Sequence, residues 1–188
     1  MAVQFAVSGD YGGDSTRSAA RWADDPGHRS IRNRAAVVAP TVADVVGCLG
    51  GWIFDRTAAG SETVVLLPDP GDTRALDILG AKVVELGAVP ARAGWSAELD
   101  ILAVAADMYL AAGRVRDESL ARRDRVAQQT YLWGRGPVVE FGDGFALVDT
   151  HRVSLAGQAF KRVALDAAGA LPGARSTAET LWVDLGPR

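Results

Sequence analysis

Short uninterrupted runs of apolar residues constrain the fold of this chain more than any other feature of its sequence. Two of them, Ala35–Ala39 and Thr63–Leu67, each end at a proline and are separated by a stretch of helical periodicity. Runs of about four to eight apolar residues bounded by turn signals are typical of strands buried on both faces. A strand, a helix and a second strand within about thirty residues form the βαβ pattern, which predicts a parallel sheet covered by helices.

The segment between these two strands carries the signals of a complete helix. Thr41 is a good N-cap residue, Asp44 follows three positions later as the acidic partner of a capping box, and Gly60 marks the end. The apolar residues that recur at helical spacing are Val42, Val45, Val46, Leu49 and Ile53. Cys48 lies among them and is predicted to be a buried free thiol, because a single cysteine excludes an internal disulfide. The glycines inside this helix, which predict close packing against a neighbour, are Gly47, Gly50 and Gly51.

The same alternation continues, less regularly, through the middle of the chain. Asp72 is predicted to cap a short helix, and a polar helix is predicted over 114–127. Further strands are predicted at Lys82–Leu86, Ile101–Ala106 and Thr130–Trp133. Periodicity alone does not separate a strand from a helix over 98–111, because the apolar run there is short. A strand is favoured, since the run stops abruptly at Asp107 and a polar helix follows.

The last third of the chain predicts a hairpin and a regular helix. Val138–Phe141 and Phe145–Val148 flank Gly142–Gly144, which is typical of a hairpin turn. The helix that follows is predicted to bury one face, formed by Val153, Ala156, Phe160, Val163, Ala164 and Ala167. Beyond it, Leu181–Val183 could add a strand or dock onto a partner.

Together these elements predict an α/β fold with a mostly parallel sheet of about five strands between helix layers. Right-handed crossovers leave a Rossmann-like or flavodoxin-like order as the favoured topologies, with the C-terminal hairpin and helix added. The predicted organisation is a flexible N-terminal arm over 1–33, an α/β domain over 34–170 and a C-terminal tail over 171–188. The arm is assigned because glycine and aspartate are frequent in it and its periodicity is poor.

Composition bounds the environment and the partners of the chain. The net charge is −3 and the isoelectric point is about 5.4, so binding to nucleic acid is not expected of the chain as a whole. No apolar run reaches the roughly 18 residues of a membrane-spanning helix, and no signal peptide is evident, so a cytoplasmic location without membrane contact is predicted. Lys82 and Lys161 stand against eighteen arginines, which with abundant alanine indicates a GC-rich, actinobacterial genome.

Candidate ligand-binding residues follow the predicted strands, because ligands bind beyond the carboxyl ends of an open parallel sheet. These residues are Thr41, Asp69, Asp72, Asp107 and Arg135. Carboxylates on neighbouring strand ends could hold Mg²⁺, but Asp69–Asp72 is better explained as a turn followed by a helix cap. No cofactor is predicted. The turn Ala39–Asp44 lacks the glycines that let a backbone approach the pyrophosphate of a dinucleotide.

Other catalytic motifs are missing from the sequence. Neither lysine lies in a P-loop, and no nucleophile elbow of the Gly-x-Ser-x-Gly type is present. His151 has Asp149 nearby but no evident activated serine, so the pair is interpreted as polar residues that precede a helix. With His28 in the predicted arm, the two histidines give no convincing zinc site.

Tryptophans at element ends are the residues most typical of contact with a partner. Five tryptophans are present, and Trp52 is predicted to lie in the core. The candidates for interaction are Trp22, Trp95, Trp133 and Trp182. An amphipathic ring at the end of an element often meets a partner or ligand.

The preferred functional interpretation is a non-catalytic α/β module that acts by protein–protein interaction, as a regulatory or accessory subunit or with its own copy. The alternative is a nucleotide- or phosphometabolite-binding enzyme that uses the strand-end aspartates, with or without Mg²⁺. A weaker alternative is a nucleic-acid accessory factor using arginines of the arm and of the 114–125 helix. The expected partner is another protein or a second copy, with a small phosphorylated ligand as the other option.

Overall fold

Seven strands form one sheet within the residues that the computed structural model describes, which are 33–88, 99–115, 127–134, 145–170 and 176–184. The strands are β1 Arg34–Val38, β2 Glu62–Leu67, β3 Lys82–Glu85, β4 Leu99–Ala105, β5 Ala127–Trp133, β6 Phe145–Arg152 and β7 Ala178–Asp184. The helices are α1 Val42–Ala58, α2 Arg74–Ile78, α3 Ala106–Val115 and α4 Leu155–Ala167, and a short 3₁₀ turn spans Leu86–Ala88. None of these helices is long and apolar enough to cross a membrane.

The strand order confirms the predicted fold class. The order is β3-β2-β1-β4-β5-β7-β6, in which β1 to β5 are parallel and β7 runs antiparallel to both of its neighbours. The first five strands therefore follow the Rossmann-like order, which reverses direction between β1 and β4. The sheet extends beyond the five strands expected from the sequence, because β6 and β7 add an antiparallel edge.

The first βαβ unit forms as its sequence predicts. The hydroxyl of Thr41 accepts a hydrogen bond from the backbone N–H of Asp44 (3.1 Å), which caps the first turn of α1. The apolar stripe of α1 lies against the sheet, where Leu49 and Ile53 are fully buried. Cys48, predicted to be buried, is only partly so. β1 and β2 are buried on both faces, which explains their continuous apolar sequences.

The region around β4 resolves the ambiguity between strand and helix. Leu99–Ala105 is a strand, as favoured from the sequence, and α3 begins directly after it. Of the helix predicted over 114–127, residues 114–115 are the end of α3 and Ala127 begins β5, while 116–126 lie outside the described residues. An alanine run is compatible with both states, so the sequence does not locate the point of transition.

The described C-terminal strands pair with each other and with β5. β6 pairs with β7, with His151 opposite Glu179, and β7 pairs on its other side with β5. Residues 178–184, which the sequence assigns to a tail, are therefore a strand inside the sheet. The predicted partner strand Val138–Phe141 and its turn lie outside the described residues. The same is true of residues 1–32 of the predicted arm.

The buried face of α4 also differs from the predicted one. The residues that it buries are Gly157, Lys161 and Ala164. Three residues predicted to be buried are instead exposed, namely Ala156, Phe160 and Val163. The helix turns a narrow face inward because α1 lies very close. A Cβ atom at Gly51 would lie 2.3 Å from the Val153 side chain, next to α4.

A buried ion pair links α4, β7 and α1 near this contact. The Lys161 ammonium of α4 lies 2.6 Å from the Glu179 carboxylate of β7. The same carboxylate accepts hydrogen bonds from two backbone N–H groups of α1, Gly51 at 2.9 Å and Trp52 at 2.7 Å. Glu179 is 3% exposed and Lys161 is 8% exposed, so both charges lie in the interior. Three donors around one carboxylate compensate for its removal from water.

Candidate functional site at the carboxyl edge of the sheet

The point where the strand order reverses is the natural place for a ligand in this fold. β1 and β4 are adjacent and parallel, with Val38 opposite Val104, and the chain leaves these two strands in opposite directions. The loops that follow them therefore border a crevice at the carboxyl edge of the sheet. Thr41 follows β1 and Asp107 follows β4, so two of the residues predicted from the sequence flank this crevice.

Thr41 and Asp44 form a reciprocal pair at the start of α1. The Thr41 hydroxyl donates to the Asp44 carboxylate (2.6 Å) while accepting from the Asp44 backbone N–H. Both residues are exposed. The pair places a carboxylate and an ordered hydroxyl at the first turn of a helix that begins at the crevice. Sequence analysis recognised Asp44 as a capping residue and not as a site residue.

Asp69 and Asp72 lie in the turn after β2, the strand next to β1. The Asp69 carboxylate accepts from the backbone N–H of Gly71 (3.1 Å), where φ is +51°. The Asp72 carboxylate accepts from the backbone N–H of Arg74 (3.0 Å). Asp72 therefore supports the start of α2 as expected, although the N-cap position itself is Thr73, whose side chain makes no capping hydrogen bond. Both carboxylates are exposed at the carboxyl edge.

Asp107 lies in the first turn of α3, directly after β4. One of its carboxylate oxygens accepts from the backbone N–H of Met108 (2.8 Å), and its side chain is exposed. A carboxylate in the first turn of a helix is stabilised by the positive end of the helix dipole. In the sequence Asp107 is visible as the acid at which an apolar run stops abruptly, and in the structure it lies beside the crevice.

The described part of this edge is acidic. Carboxylates follow three strands, at Asp44, Asp69, Asp72 and Asp107. Arg74 is the only basic residue among the described residues 39–45, 68–74 and 106–110 that follow those strands. Coulomb interaction at such an edge favours a cationic or neutral ligand over a phosphate.

The Mg²⁺ site considered from the sequence has no support in the described residues. Within those ranges, no group of three or more His, Cys, Asp or Glu side chains is arranged to hold a metal ion. The strand-end aspartates instead each accept a local hydrogen bond. We therefore derive no chemical step through a metal.

Three other predicted residues, Arg135, Trp22 and Trp95, lie outside the described residues. The remaining two predicted interaction residues are in the core. Trp133 is 1% exposed and Trp182 is 7% exposed. They pack on opposite faces of the sheet, Trp133 with the α1 side and Trp182 with Leu132 on the other. Neither indole offers a contact face to a partner in the described chain.

A second polar cluster lies where α1 and α4 meet, and sequence analysis missed it as a unit. The Asp55 carboxylate accepts from the backbone N–H of Ser154 (2.9 Å) and from its hydroxyl, and lies 2.8 Å from Nε2 of His151. The Ser154 hydroxyl in turn accepts from the N–H of Gly157, which caps α4. The sequence identifies His151 only as a polar residue that precedes a helix, because its partner Asp55 lies 96 positions away in sequence.

This cluster contains serine, histidine and aspartate but does not have the geometry of a nucleophilic triad. In a triad the histidine bridges the serine and the acid, whereas here Asp55 bridges Ser154 and His151. Partial burial alone would raise the pKa of Asp55. The hydrogen bonds from Ser154 and the nearby His151 outweigh burial and hold the pKa of Asp55 below its ordinary value. The cluster is therefore a structural link between α1 and α4.

Comparison with known proteins finds likeness in structure and none in sequence. No protein-family model matches the chain, and no curated protein matches its sequence. A teicoplanin deacetylase, solved with teicoplanin, superposes with a TM-score of 0.55 at 14% identity, over 80% of this chain and 97% of that chain. The A40926 pseudoaglycone deacetylase Dbv21 superposes with a TM-score of 0.52 at 15% identity, over 84% of this chain and 100% of that chain. At these identities the likeness establishes the fold alone.

These matches correct the preferred interpretation from the sequence. The sequence favours a non-catalytic module acting through protein–protein interaction, because it contains no complete catalytic motif. Two solved structures that share the fold over nearly their whole length are deacetylases, which contradicts that interpretation. Of the alternatives from the sequence, the enzyme interpretation is better supported by these matches than the non-catalytic one.

Proposed function

We propose that this chain is an enzyme that cleaves an acyl-amide bond in a small polar substrate at the carboxyl edge of its sheet. The residues that flank the crevice between β1 and β4 are Thr41, Asp44 and Asp107. Asp69 and Asp72, after β2, extend the same edge. The proposal is supported first by the position of these residues at the point where the strand order reverses.

The fold likeness supports the reaction class. Two deacetylases share this fold over 97% and 100% of their own length, so the likeness includes the whole scaffold. Folds host many chemistries, and the residues of the edge must therefore supply an independent argument. That argument comes from charge.

The acidic edge fits a substrate that becomes an amine. When water cleaves an amide, its oxygen bonds to the carbonyl carbon, the carbon–nitrogen bond breaks, and the nitrogen leaves as an amine that takes up a proton. The edge carries four aspartates and one arginine in its described residues, so it stabilises an ammonium product. The same charge repels phosphate, which weakens the case for a nucleotide or phosphometabolite in the absence of a counter-ion.

Asp107 and Asp44 are the groups at the crevice that can take a proton from an attacking water. A carboxylate is an effective general base when it lies within hydrogen-bond reach of that water. Thr41 orients Asp44 through its 2.6 Å hydrogen bond. We expect Asp107 to be the base and the Thr41–Asp44 pair to hold the polar end of the substrate.

The test is a deacylation assay on the purified full chain with three classes of N-acetylated compound: amino sugars, amino acids and short peptides. Release of acetate and of a primary amine is measured for the wild type and for Asp107→Asn and Asp44→Asn. We expect Asp107→Asn to lower the rate by about 100-fold or more, as for loss of a general base, and Asp44→Asn to weaken substrate binding and raise KM. Asp77→Asn is the matched control, because Asp77 is an exposed aspartate on α2 outside the crevice, and it should retain the wild-type rate.

No release of acetate from any class, with the protein shown to be folded by circular dichroism, would refute the proposed reaction. A thermal-shift screen with nucleotides and sugar phosphates, with and without Mg²⁺, then tests the phosphometabolite alternative. A ligand at about one hundred times its dissociation constant adds roughly 2.7 kcal/mol to stability, which such a screen detects.

A further inference from the structure

Trp133 and Thr63 are buried side chains whose polar atoms have no hydrogen-bond partner in the described part of the chain. The atoms are Nε1 of Trp133 and Oγ1 of Thr63. Trp133 is the last residue of β5, at the carboxyl edge of the sheet, whereas Thr63 is the second residue of β2, at the opposite edge. Buried polar groups are almost always paired, because an unpaired one costs free energy, so each exception requires an explanation.

The end of β5 lies beside the crevice between β1 and β4. Trp133 pairs with Ala105, which is the last residue of β4 and lies two positions before Asp107. A Cβ atom at Gly134, the next residue, would lie 3.9 Å from the backbone nitrogen of Ala106, where α3 begins. Residues that pair across neighbouring strands share a face of the sheet. The indole of Trp133 therefore stands next to the Ala105 methyl group, at the same edge as Asp107.

The neighbours of Trp133 leave room for its ring on the side of the crevice. On the β7 side it pairs with Leu181, which is fully buried, and on the β4 side with Ala105. Ala39, which follows β1, is small as well and belongs to the same buried cluster as Trp133. Since interiors are closely packed, a leucine on one side and alanines on the other place the space for the indole over β4. That side leads toward the crevice.

The indole N–H complements the other polar side chains of the crevice. The ionised carboxylates of Asp44 and Asp107 only accept hydrogen bonds, and the Thr41 hydroxyl already donates to Asp44. An indole N–H only donates. An amide presents both an N–H, which needs an acceptor, and a carbonyl oxygen, which needs a donor. The carboxylates suit the first group and Trp133 suits the second.

We propose that Trp133 is a substrate-binding residue whose indole N–H donates a hydrogen bond to the carbonyl oxygen of an N-acyl substrate. This inference rests on the amide cleavage proposed above. As the water oxygen bonds to the carbonyl carbon, the π-electron pair of the carbonyl moves onto its oxygen, and the N–H stabilises that negative charge. The pair returns when the carbon–nitrogen bond breaks and the nitrogen takes up a proton. A donor held in the interior acts strongly here, because water does not compete for it.

Removing the indole N–H from the full chain tests this role. Trp133→Phe keeps an aromatic ring without the donor, and we expect kcat for acetate release to fall by about 100-fold, as for loss of one donor to an oxyanion. Thr63→Val is the matched control, because it removes the unpaired polar atom at the opposite edge, and it should keep the wild-type kcat. Circular dichroism and urea unfolding show that both variants are folded. A wild-type kcat in Trp133→Phe overturns the proposal.

A direct measurement of the N–H separates this proposal from the proposed reaction. Proton–nitrogen correlation spectra are recorded for isotope-labelled Asp107→Asn, in which the substrate stays intact, during titration with N-acetylated amino sugars, amino acids and short peptides. The assigned indole signal of Trp133 should shift on binding, whereas that of Trp182, buried on the other face of the sheet, should not. A shift without acetate release from the wild type refutes the reaction and supports the binding role. Acetate release from a compound that leaves the Trp133 signal in place at saturation overturns the binding role alone. Neither release nor shift with any compound overturns both.

Discussion

Replacing Glu179 by glutamine is expected to lower the free energy of unfolding by about 3–5 kcal/mol, because it leaves a buried ammonium without a counter-ion. The pair lies in the interior, with 3% exposure for Glu179 and 8% for Lys161. The substitution keeps the volume of the side chain but turns one of its acceptor oxygens into a donor. Either Gly51 or Trp52 then loses the acceptor of its backbone N–H, which alone costs about 1–3 kcal/mol.

Replacing the other member of the pair, Lys161, should lower the free energy of unfolding by a smaller amount. In Lys161→Met the Glu179 carboxylate still accepts hydrogen bonds from both backbone N–H groups of α1. These two bonds continue to offset part of the cost of burying its charge. We expect a loss of about 1–3 kcal/mol. The double variant, Lys161→Met with Glu179→Gln, removes both charges and should be more stable than Glu179→Gln alone.

Urea unfolding at neutral pH, followed by circular dichroism and by tryptophan fluorescence, measures these differences. Glu85→Gln is the control, since Glu85 is exposed on β3, and it should change stability by less than about 0.5 kcal/mol. The loss in Glu179→Gln should also persist in high salt, because buried charges are screened little. A loss below about 1 kcal/mol, or a double variant less stable than Glu179→Gln, would refute the reasoning.

Two further predictions concern the contact between α1 and α4. Gly51→Ala should lower stability by about 1–3 kcal/mol in urea unfolding, because its Cβ would lie 2.3 Å from a methyl group of Val153. Gly47→Ala, in the same helix with no atom within 4 Å of the new Cβ, should raise stability by up to about 1 kcal/mol, and equal effects would contradict this explanation. The pKa of Asp55 lies below its ordinary 3.8, so the unfolded chain takes up the proton first and stability falls as pH drops below that value. Between about pH 5 and pH 3 the wild type should therefore lose more stability than Asp55→Asn, and parallel pH profiles would exclude this role.

The parts of the fold that sequence analysis predicts correctly are those with strong local signals. Continuous apolar runs locate β1 and β2, and Thr41 with Asp44 locates the start of α1. Because ligand sites in this fold lie at strand ends, the same signals also place Thr41 and Asp107 beside the crevice. These predictions need only neighbouring residues along the chain.

The parts that sequence analysis misses depend on contacts between distant residues. β7 has a core of only three apolar residues, Leu181–Val183, and its place in the sheet is set by pairing with β5 and β6. Lys161 and Glu179 resemble surface residues until the fold brings them together. In the folded chain Lys161 of α4 lies inside, at the ion pair and close to α1, and Phe160 lies partly exposed.

The functional prediction failed for a different reason. Sequence motifs of catalysis are local patterns, and this chain has none that is complete. The acidic edge is assembled from residues after β1, β2 and β4, which are separate in sequence and adjacent only through the strand order. Only the strand order shows that these acidic residues lie on one surface.

The position of β7 has a consequence for how the chain is made. β7 is the last described strand in sequence, yet it lies between β5 and β6 and supplies the counter-ion of Lys161. While the nascent chain is shorter than about residue 178, β6 has no neighbour in the described sheet and a lysine of α4 has no acceptor. The parallel half of the sheet can pair as it emerges, but the antiparallel half cannot. The described core can therefore be completed only after β7 has been synthesised.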